Sequence, residues 1–140
     1  MVVDYAHTPD ALERALLSCQ KHCAGDLWAV FGCGGDRDRS KRSAMGTLAE
    51  QYADKVILTN DNPRSEEPMS IISQIVTGMR KRPTIIEDRS VAVAYAIERA
   101  TNKDLVLVAG KGHEDYQVIG DQMHHYSDRQ WVEKCMGTVA

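Results

Sequence analysis

Short apolar runs alternate along this chain with longer segments in which apolar residues recur every three or four positions. The runs are often β-branched and bounded by Gly, Asp or Pro, which is typical of strands buried on both faces. They occupy residues 1–3, 27–31, 56–59, 84–86 and 105–109. The segments between them have the spacing of amphipathic helices. This order predicts right-handed crossovers and a doubly wound, mostly parallel, Rossmann-like α/β sheet with helices on both faces.

Residue signals at the ends of these segments agree with the spacing. Thr8 is an N-cap residue followed by a proline at the first helical position. Ser127, three residues before a glutamine, opens a capping box that predicts a last helix. Before it, the segments 117–119 and 122–126 flank a Gly-Asp pair. They predict a hairpin that adds antiparallel strands at one edge of the sheet.

Composition limits the classes of function. A chain of 140 residues, 43% hydrophobic and 26% charged, has the size and make-up of one soluble globular domain. A net charge of -3 gives no basic surplus for nucleic acid, and no apolar stretch approaches the ~20 residues of a membrane span. We therefore expect neither a nucleic-acid nor a membrane partner. The first residues lack the basic and apolar regions of a signal peptide, which predicts a cytoplasmic protein.

The four cysteines are expected to be free thiols rather than disulfides or metal ligands. No two of them form a C-x-x-C pair. Cys19 and Cys23 have a histidine between them, which is compatible with a metal site. Both also fall on the helical stripe of Leu12 and Leu16. We predict that these two thiols are core residues and that the chain holds no metal.

Polar clusters follow four of the five predicted parallel strands. They lie at residues 4–7, 32–39, 61–64 and 110–115. Because ligands of an open parallel sheet collect at the carboxyl ends of its strands, the four clusters are expected to share one rim. Each cluster alone is more simply explained as a turn, a helix cap or a local ion pair. Their coincidence on one rim favours a single binding site.

The glycine-rich cluster does not match a standard nucleotide-binding loop. Gly32, Gly34 and Gly35 follow a strand, as in a dinucleotide site. The third glycine is misplaced for that motif, and Asp36 and Asp38 would repel a pyrophosphate. The sequence G-x-x-x-x-G-K-[ST] of a P-loop does not occur in the chain. We therefore predict neither a nicotinamide site nor a self-sufficient triphosphate cradle.

The rim offers charges of both signs. Its arginines carry fork-shaped donors that suit carboxylates or phosphates, and its acids suit an ammonium group. The arginines are Arg37, Arg39 and Arg64, and the acids are Asp36, Asp61 and Glu114. A site with both signs is suited to a zwitterion such as an amino acid.

Taken in order, the four clusters resemble the C-terminal domain of the Mur ligases. The motifs are D-Y-A-H-T-P-D at residues 4–10, G-C-G-G-D-R-D at 32–38, D-N-P-R at 61–64 and G-K-G-H-E-D-Y at 110–116. The resemblance extends over nearly the whole chain and is strongest to the members that use meso-diaminopimelate. It implies an ATP-dependent amide ligase of peptidoglycan biosynthesis that joins meso-diaminopimelate to UDP-N-acetylmuramoyl-L-alanyl-D-glutamate.

The resemblance also implies that the ligase has three domains with separate roles. In the family, ATP phosphorylates the D-glutamyl side-chain carboxylate, and the amine of the incoming amino acid attacks the acyl phosphate. A central domain supplies the P-loop and the Mg²⁺ ligands, and an N-terminal domain holds the UDP-sugar. The C-terminal domain holds the amino acid and part of the ATP. Residues 1–140 correspond to this last domain, so we expect the other two to be absent and the isolated chain to be inactive.

Site residues of the family can be matched to positions of this chain. For meso-diaminopimelate the matches are Arg37, Asp61, Asn62, Pro63, Arg64, Gly110 and Glu114. Arg64 corresponds to the arginine that clamps the distal carboxylate, and Glu114 to the acceptor of the distal ammonium. For ATP the matches are Asp4, Tyr5 and His7 at the adenosine end and Lys111 near the acyl phosphate. Lys111 is as readily explained as a solvated side chain, and no catalytic residue or metal ligand is assigned.

Arg64 also predicts which amino acid is used. Lysine resembles diaminopimelate but lacks the distal carboxylate, so its binding would leave the Arg64 guanidinium desolvated and unpaired. Sites built for such hydrogen bonds reject the deficient analogue by on the order of 10⁴-fold. The arginine therefore favours meso-diaminopimelate over lysine.

Two other interpretations remain open. One is a stand-alone amino-acid-binding module that uses the same pocket without catalysis. The other is a related ligase that adds glutamate to folates, in which D-N-P-R together with G-K-G-H-E is not expected.

Overall fold

The chain forms two sheets and five helices within residues 1–137, which the computed structural model describes. The strands are β1 (Val2–Asp4), β2 (Leu27–Phe31), β3 (Lys55–Leu58), β4 (Thr84–Ile85), β5 (Leu105–Ala109), β6 (Tyr116–Ile119) and β7 (Gln122–His125). The helices are α1 (Pro9–Gln20), α2 (Lys41–Tyr52), α3 (Pro68–Val76), α4 (Arg89–Arg99) and α5 (Asp128–Cys135). None of these helices has the length and apolarity needed to cross a lipid bilayer.

The larger sheet has five parallel strands in the order β1-β5-β2-β3-β4. Its central strands, β2 and β5, are continuous apolar runs because helices cover both of their faces. The predicted doubly wound α/β fold is confirmed. Strands β2 and β5 have the predicted bounds, and β1, β3 and β4 differ from the prediction by no more than one residue at either end.

Two apolar clusters lie on opposite faces of this sheet. Helices α1, α2 and α3 form one cluster, and helices α4 and α5 form the other. Neighbouring residues of β2 belong to different clusters, as the alternation of side chains along a strand requires: Phe31 packs in the first and Val30 in the second. The two clusters fix the sheet between its helices and thereby hold the strand ends in place.

The predicted helix starts are confirmed. The side-chain oxygens of Thr8 and Ser127 each accept a hydrogen bond from the backbone N–H three residues later, at 3.2 and 3.3 Å. Cys19 is buried in the first apolar cluster, as predicted. Cys23 lies beyond the end of α1 and is only half-buried against that cluster.

Strands β6 and β7 form the predicted hairpin, but they make a two-stranded sheet of their own instead of extending the larger one. The difference arises because β6 bonds to the loop that follows β3. Ile119 forms a parallel bridge with Arg64, and the Gln117 amide donates to the Asp61 carbonyl at 2.7 Å. The hairpin therefore rests on a loop that carries one of the polar clusters.

Candidate functional site

The carboxyl ends of β1, β2, β3 and β5 meet at one rim, because these strands are parallel neighbours. A cavity of about 420 Å³ opens there. It is lined by Tyr5, His7, Thr8, Gly34, Arg37, Asp38, Lys41, Asp61, Asn62, Arg64, Gly110, Glu114 and Tyr116. The four polar clusters of the sequence thus share one cavity.

Most of the site residues predicted from the sequence line this cavity. The residues matched to meso-diaminopimelate all line it except Pro63. Of the residues matched to ATP, Asp4 and Lys111 lie outside the lining, and so do the candidates Asp36 and Arg39. The cavity therefore brings together the basic and acidic groups on which the amino-acid prediction rests.

The glycines after β2 allow two loops to touch through their backbones. A Cβ atom at Gly35 would collide with the carbonyl of Pro63, and one at Gly32 would collide with the carbonyl of Thr59. The Gly35 N–H also donates to the Asn62 carbonyl at 2.8 Å. Glycine is needed here for close backbone approach, and Pro63 lies against Gly35 outside the cavity lining.

Arg64 is held by both its backbone and its side chain. Its φ of 52° lies in the left-handed region, which residues other than glycine rarely adopt. The hairpin fixes this conformation, since the Arg64 N–H donates to Val118 at 3.1 Å and its carbonyl accepts from Gly120 at 2.6 Å. Nη1 donates to the Gly35 carbonyl at 2.9 Å. Within residues 1–137 no hydrogen bond engages Nε or Nη2, so these donors remain for a ligand.

The side chain of Asn62 presents its N–H donors to the cavity. Its Oδ1 accepts hydrogen bonds from Lys111 Nζ at 2.8 Å and from the Val118 N–H at 2.9 Å. Two donors on one oxygen fix the orientation of the amide. Nδ2 has no acceptor among the described residues. Asn62 and Arg64 together therefore offer donors of the kind that bind a carboxylate.

Lys111 lies beneath the cavity floor, fully buried. Its Nζ is 2.8 Å from Asn62 Oδ1, 2.9 Å from the Tyr116 carbonyl and 3.3 Å from Asp61 Oδ1. These acceptors use the three N–H donors of the ammonium group. Burial lowers the pKa of Lys111, and the charge of Asp61 opposes this shift. The structure thus places Lys111 between the loops that it orders and not in solvent, and its predicted approach to the acyl phosphate stays a prediction.

Asp61 and Glu114 supply negative charge to the cavity. Asp61 is 7% exposed, and the Glu114 side chain is 16% exposed. Glu114 Oε1 lies 3.7 Å from Lys111 Nζ, and its Oε2 accepts from the Tyr116 hydroxyl at 3.3 Å. Two carboxylates share one lysine, so one negative charge is left without a compensating ammonium group. The same cavity thus combines arginine donors with a carboxylate pair that one further cation would neutralise.

A buried arginine outside the motifs holds the glycine loop. Arg42 in α2 is fully buried and donates to both carboxylate oxygens of Glu66, each at 2.9 Å, and to the Gly34 carbonyl at 2.9 Å. Glu66 also accepts from the Asp36 N–H at 2.8 Å. The Asp36 carboxylate in turn accepts from the Ser65 hydroxyl at 2.6 Å. Asp36 therefore ties two loops together and lies outside the cavity lining.

Glu66→Gln is expected to change the pH dependence of stability. Hydrogen bonds from Arg42 lower the pKa of Glu66 from 4.5 to about 2. Because folding lowers this pKa, the carboxylate contributes stability above pH 4.5 that is lost as the pH falls toward 2. Urea unfolding of the chain between about pH 7 and about pH 3 should show a larger loss for the wild type than for the variant. Glu98→Gln, at an exposed carboxylate, is the control, and equal losses in the wild type and Glu66→Gln would refute the expectation.

Exposed aromatic rings lie at another part of the cavity, where Tyr5 and His7 belong to the lining and His113 lies outside it. The rings of Tyr5 and His7 are 4.7 Å apart, and those of Tyr5 and His113 are 6.1 Å apart. Tyr5 is 48% exposed. The Asp4 carboxylate, in contrast, accepts from the Ala6 N–H at 2.8 Å. The rings are exposed groups of the kind that stack on a nucleobase, and the predicted contact of Asp4 with ATP stays a prediction.

A larger groove, of about 770 Å³, lies around the amino ends of β3 and β4. Its cations include Lys55 and the loop residues 80–82, all of which are exposed. None of the four sequence motifs reaches this end of the sheet. Because ligands of open parallel sheets bind at the carboxyl ends, the smaller cavity is the candidate ligand site.

Some cavity residues were missed by the sequence analysis. They include Tyr116, the last residue of the G-K-G-H-E-D-Y motif, and Lys41, the first residue of α2. Lys41 donates to the His7 carbonyl at 2.9 Å. The sequence could have predicted Lys41, because a helix that starts after a rim loop directs its first turn toward that rim.

Comparison with protein families supplies the deciding observation. The family described as "Mur ligase, glutamate ligase domain" matches residues 1–112, which include the lining clusters as far as Gly110. The chain belongs to the Mur ligase family. The resemblance drawn from the four motifs is thus confirmed, and the polar rim of this Mur ligase domain lies where those motifs predicted it.

Two proteins similar to this Mur ligase domain have the same name. It is 55% identical over 138 residues to the UDP-N-acetylmuramoyl-L-alanyl-D-glutamate--2,6-diaminopimelate ligase of Vibrio cholerae serotype O1. The match covers 97% of this chain and 28% of that ligase, so the chain spans less than a third of the relative's length. A solved structure of a ligase of the same name is 45% identical, with a TM-score of 0.92, over 98% of this chain and 29% of the other.

More distant structures share the fold of the Mur ligase domain. One is a bifunctional folylpolyglutamate synthase/dihydrofolate synthase solved with Mn, AMPPNP and L-glutamate bound. It matches with a TM-score of 0.60 at 21% identity, over 75% of this chain and 24% of its own. At this identity the likeness establishes the fold alone.

Proposed function

We propose that this Mur ligase domain binds meso-diaminopimelate for an ATP-dependent ligase that adds it to UDP-N-acetylmuramoyl-L-alanyl-D-glutamate in peptidoglycan biosynthesis. The observation that carries the proposal is a single cavity in which the donors of Arg64 and Asn62 lie with the carboxylates of Asp61 and Glu114. The name of the 55% identical relative from Vibrio cholerae agrees with this substrate.

The groups of the cavity suit the distal end of diaminopimelate, which carries a carboxylate and an ammonium on one carbon. Arg64 Nε and Nη2 and Asn62 Nδ2 are donors for the carboxylate. Glu114 and Asp61 are acceptors for the ammonium, and the substrate would supply the positive charge that this pair lacks. Arg37 lies in the same lining and adds a further donor for an anionic group.

The domain would contribute to amide formation mainly by orientation. When the cavity holds the distal end of diaminopimelate, the proximal amine is directed toward the activated carboxylate. The amine and the acyl phosphate then react from fixed positions and do not have to meet by diffusion. Attack by the amine forms the amide bond and releases the phosphate as the leaving group. The residues of this chain hold the substrate during that step, and none of them is assigned a proton transfer.

For ATP, we place the adenosine end near the rings of Tyr5 and His7, which line the cavity and are exposed. ATP supplies the phosphoryl group that activates the D-glutamyl carboxylate. We place its phosphates and Mg²⁺ in the central domain that the family resemblance implies. Among residues 1–137, no three His, Cys, Asp or Glu side chains are arranged to hold a metal ion, and we route no step through magnesium.

We further propose that the chain acts as one domain of a larger ligase in the cytoplasm. Its coverage of only 28% of the Vibrio cholerae ligase supports the larger protein. Dependence of the reaction on ATP and on a UDP-linked substrate supports the cytoplasmic location.

The full-length ligase that contains this domain is expected to release one ADP and one phosphate for each diaminopimelate that it joins. Coupled detection of ADP, together with chromatography of the UDP-linked product, measures this stoichiometry. A reaction without diaminopimelate is the control and should release ADP only slowly. Release of ADP without a tripeptide product, or equal kcat/KM for an unrelated amino acid, would refute the proposal.

A stand-alone binding module is the second candidate, because the cavity of this domain already combines arginine donors with the carboxylates of Asp61 and Glu114. Calorimetric titration of the 140-residue chain with diaminopimelate separates the two. A Kd close to the KM of the full-length ligase would favour a self-sufficient module. Weak or absent binding would favour a domain that needs the rest of the ligase.

A further inference from the structure

A buried ion pair outside the sequence motifs lies behind the acidic part of the cavity. Arg89, the first residue of α4, and Asp128, the first residue of α5, are 1% and 0% exposed. The guanidinium donates to both Asp128 oxygens, from Nε at 2.9 Å and from Nη2 at 2.7 Å. The Tyr126 hydroxyl donates to the same carboxylate at 2.7 Å. The pair is therefore bidentate and fully removed from water.

The other hydrogen bonds of Arg89 reach the backbone of the binding site. Nη1 donates to the Asn60 carbonyl at 2.9 Å, and Nη2 donates to the Ala109 carbonyl at 3.0 Å. These carbonyls immediately precede Asp61 and Gly110, and both of those residues line the cavity. One planar group thus connects the loop after β3 with the end of β5.

These two strands are not neighbours in the sheet. Strand β2 lies between β5 and β3, so no ladder hydrogen bond fixes the distance between the loops that extend beyond them. A guanidinium can fix it, because its donors are held in one rigid plane and Asp128 holds that plane from the other side. We propose that Arg89 is a positioning residue that sets the separation of Asp61 from the Gly110–Glu114 loop. The proposal rests on the function proposed above.

The Arg89–Asp128 pair has no net charge, so it affects the geometry of the site and not the total charge of the site. Burial alone would lower the pKa of Arg89 and raise that of Asp128. The opposite charge of each partner outweighs this effect, so the pKa of Arg89 is raised and that of Asp128 is lowered. Both groups are therefore ionised. Exchange of both for apolar residues removes one charge of each sign along with the hydrogen bonds to the two carbonyls.

The double variant Arg89→Met/Asp128→Leu in the full-length ligase tests the proposal. Replacing a buried ion pair by apolar side chains of similar volume is often neutral for stability, whereas each single variant leaves a buried charge unpaired. The double variant still lacks the donors to the Asn60 and Ala109 carbonyls. We expect a Tm lowered by less than in either single variant, an apparent KM for meso-diaminopimelate raised about tenfold, and kcat and the KM for ATP within about twofold.

Val106→Ala is the control for lost stability, because Val106 is a buried β5 residue near the start of that strand, away from the rim. It should lower Tm and leave the KM for diaminopimelate unchanged. A wild-type KM in the double variant, or a KM that rises equally in Val106→Ala, would overturn the proposal.

Arg89→Lys is the second test if the double variant does not fold. It keeps a charge for Asp128 but loses the fork that reaches both carbonyls, so the same rise of about tenfold in KM is expected. An unchanged KM would overturn the proposal. A wild-type ligase that does not use diaminopimelate would refute the proposed function alone. The role of Arg89 would then be measured from the KM for the amino acid that the ligase does use.

Discussion

Arg64→Ala in the full-length ligase is expected to lower kcat/KM for meso-diaminopimelate by about 10³-fold, or roughly 4 kcal/mol, mostly through a higher KM. The variant loses the Nε and Nη2 donors that remain for a ligand. The distal carboxylate would then be desolvated in the cavity without a charged partner. Steady-state kinetics with varied diaminopimelate, at saturating ATP and UDP-linked substrate, measures the loss.

Two further variants separate the guanidinium from other effects. Position 64 has a φ of 52°, so alanine keeps the backbone strain that the wild-type arginine already has, whereas glycine relieves it. Arg64→Gly should therefore lose a similar amount of kcat/KM with less loss of stability. Arg39→Ala removes an arginine whose side chain is 65% exposed outside the cavity, and its kinetics should stay within about twofold of the wild type. An unchanged KM in Arg64→Gly would count decisively against the assigned role.

L-Lysine is expected to be used with a kcat/KM lower than that of meso-diaminopimelate by on the order of 10⁴-fold. Lysine has no distal carboxylate, so its binding would bury the donors of Arg64 and Asn62 without an acceptor. Lys111 and the Val118 N–H donate to the Asn62 oxygen and thereby keep the Nδ2 donors of Asn62 directed at the cavity. Product formation with each amino acid alone gives the two values of kcat/KM.

The same comparison in Arg64→Ala is the matched control. Without the guanidinium, bound lysine leaves no charge unpaired. The ratio of kcat/KM for diaminopimelate to kcat/KM for lysine should therefore fall by about the factor by which Arg64→Ala lowers kcat/KM for diaminopimelate. A wild-type preference of less than about tenfold would show that Arg64 does not select the substrate.

Much of the fold could be predicted because its central strands carry a strong local signal. Strands β2 and β5 are apolar on both faces and end at polar clusters, so both their bounds and their shared rim followed from the pattern. The hairpin could be predicted from its turn, but its position could not. Its free edge bonds to Arg64, a residue more than fifty positions away, and alternation along the strand carries no information about such a partner.

The site could be predicted only as far as its motifs extend. Lys111 lies between two glycines, as an exposed lysine often does, and its burial depends on acceptors from the distant loop after β3. Arg42 and Arg89 did carry a signal. Each falls on the buried stripe of its own helix, Arg42 with Met45 and Arg89 with Val93. A charge on an apolar stripe indicates a buried partner, which here lies far along the chain.

The β6–β7 hairpin supports the binding site, whereas the five-stranded sheet supports the fold. It shares no ladder with the five-stranded sheet, yet it holds the backbone of Arg64 and the side chain of Asn62. Under the proposed function, the hairpin therefore affects substrate choice without contributing a ladder hydrogen bond to the larger sheet. Substitutions in the hairpin can retune which molecule is accepted while the parallel scaffold persists, and natural drift in selectivity should accumulate there first.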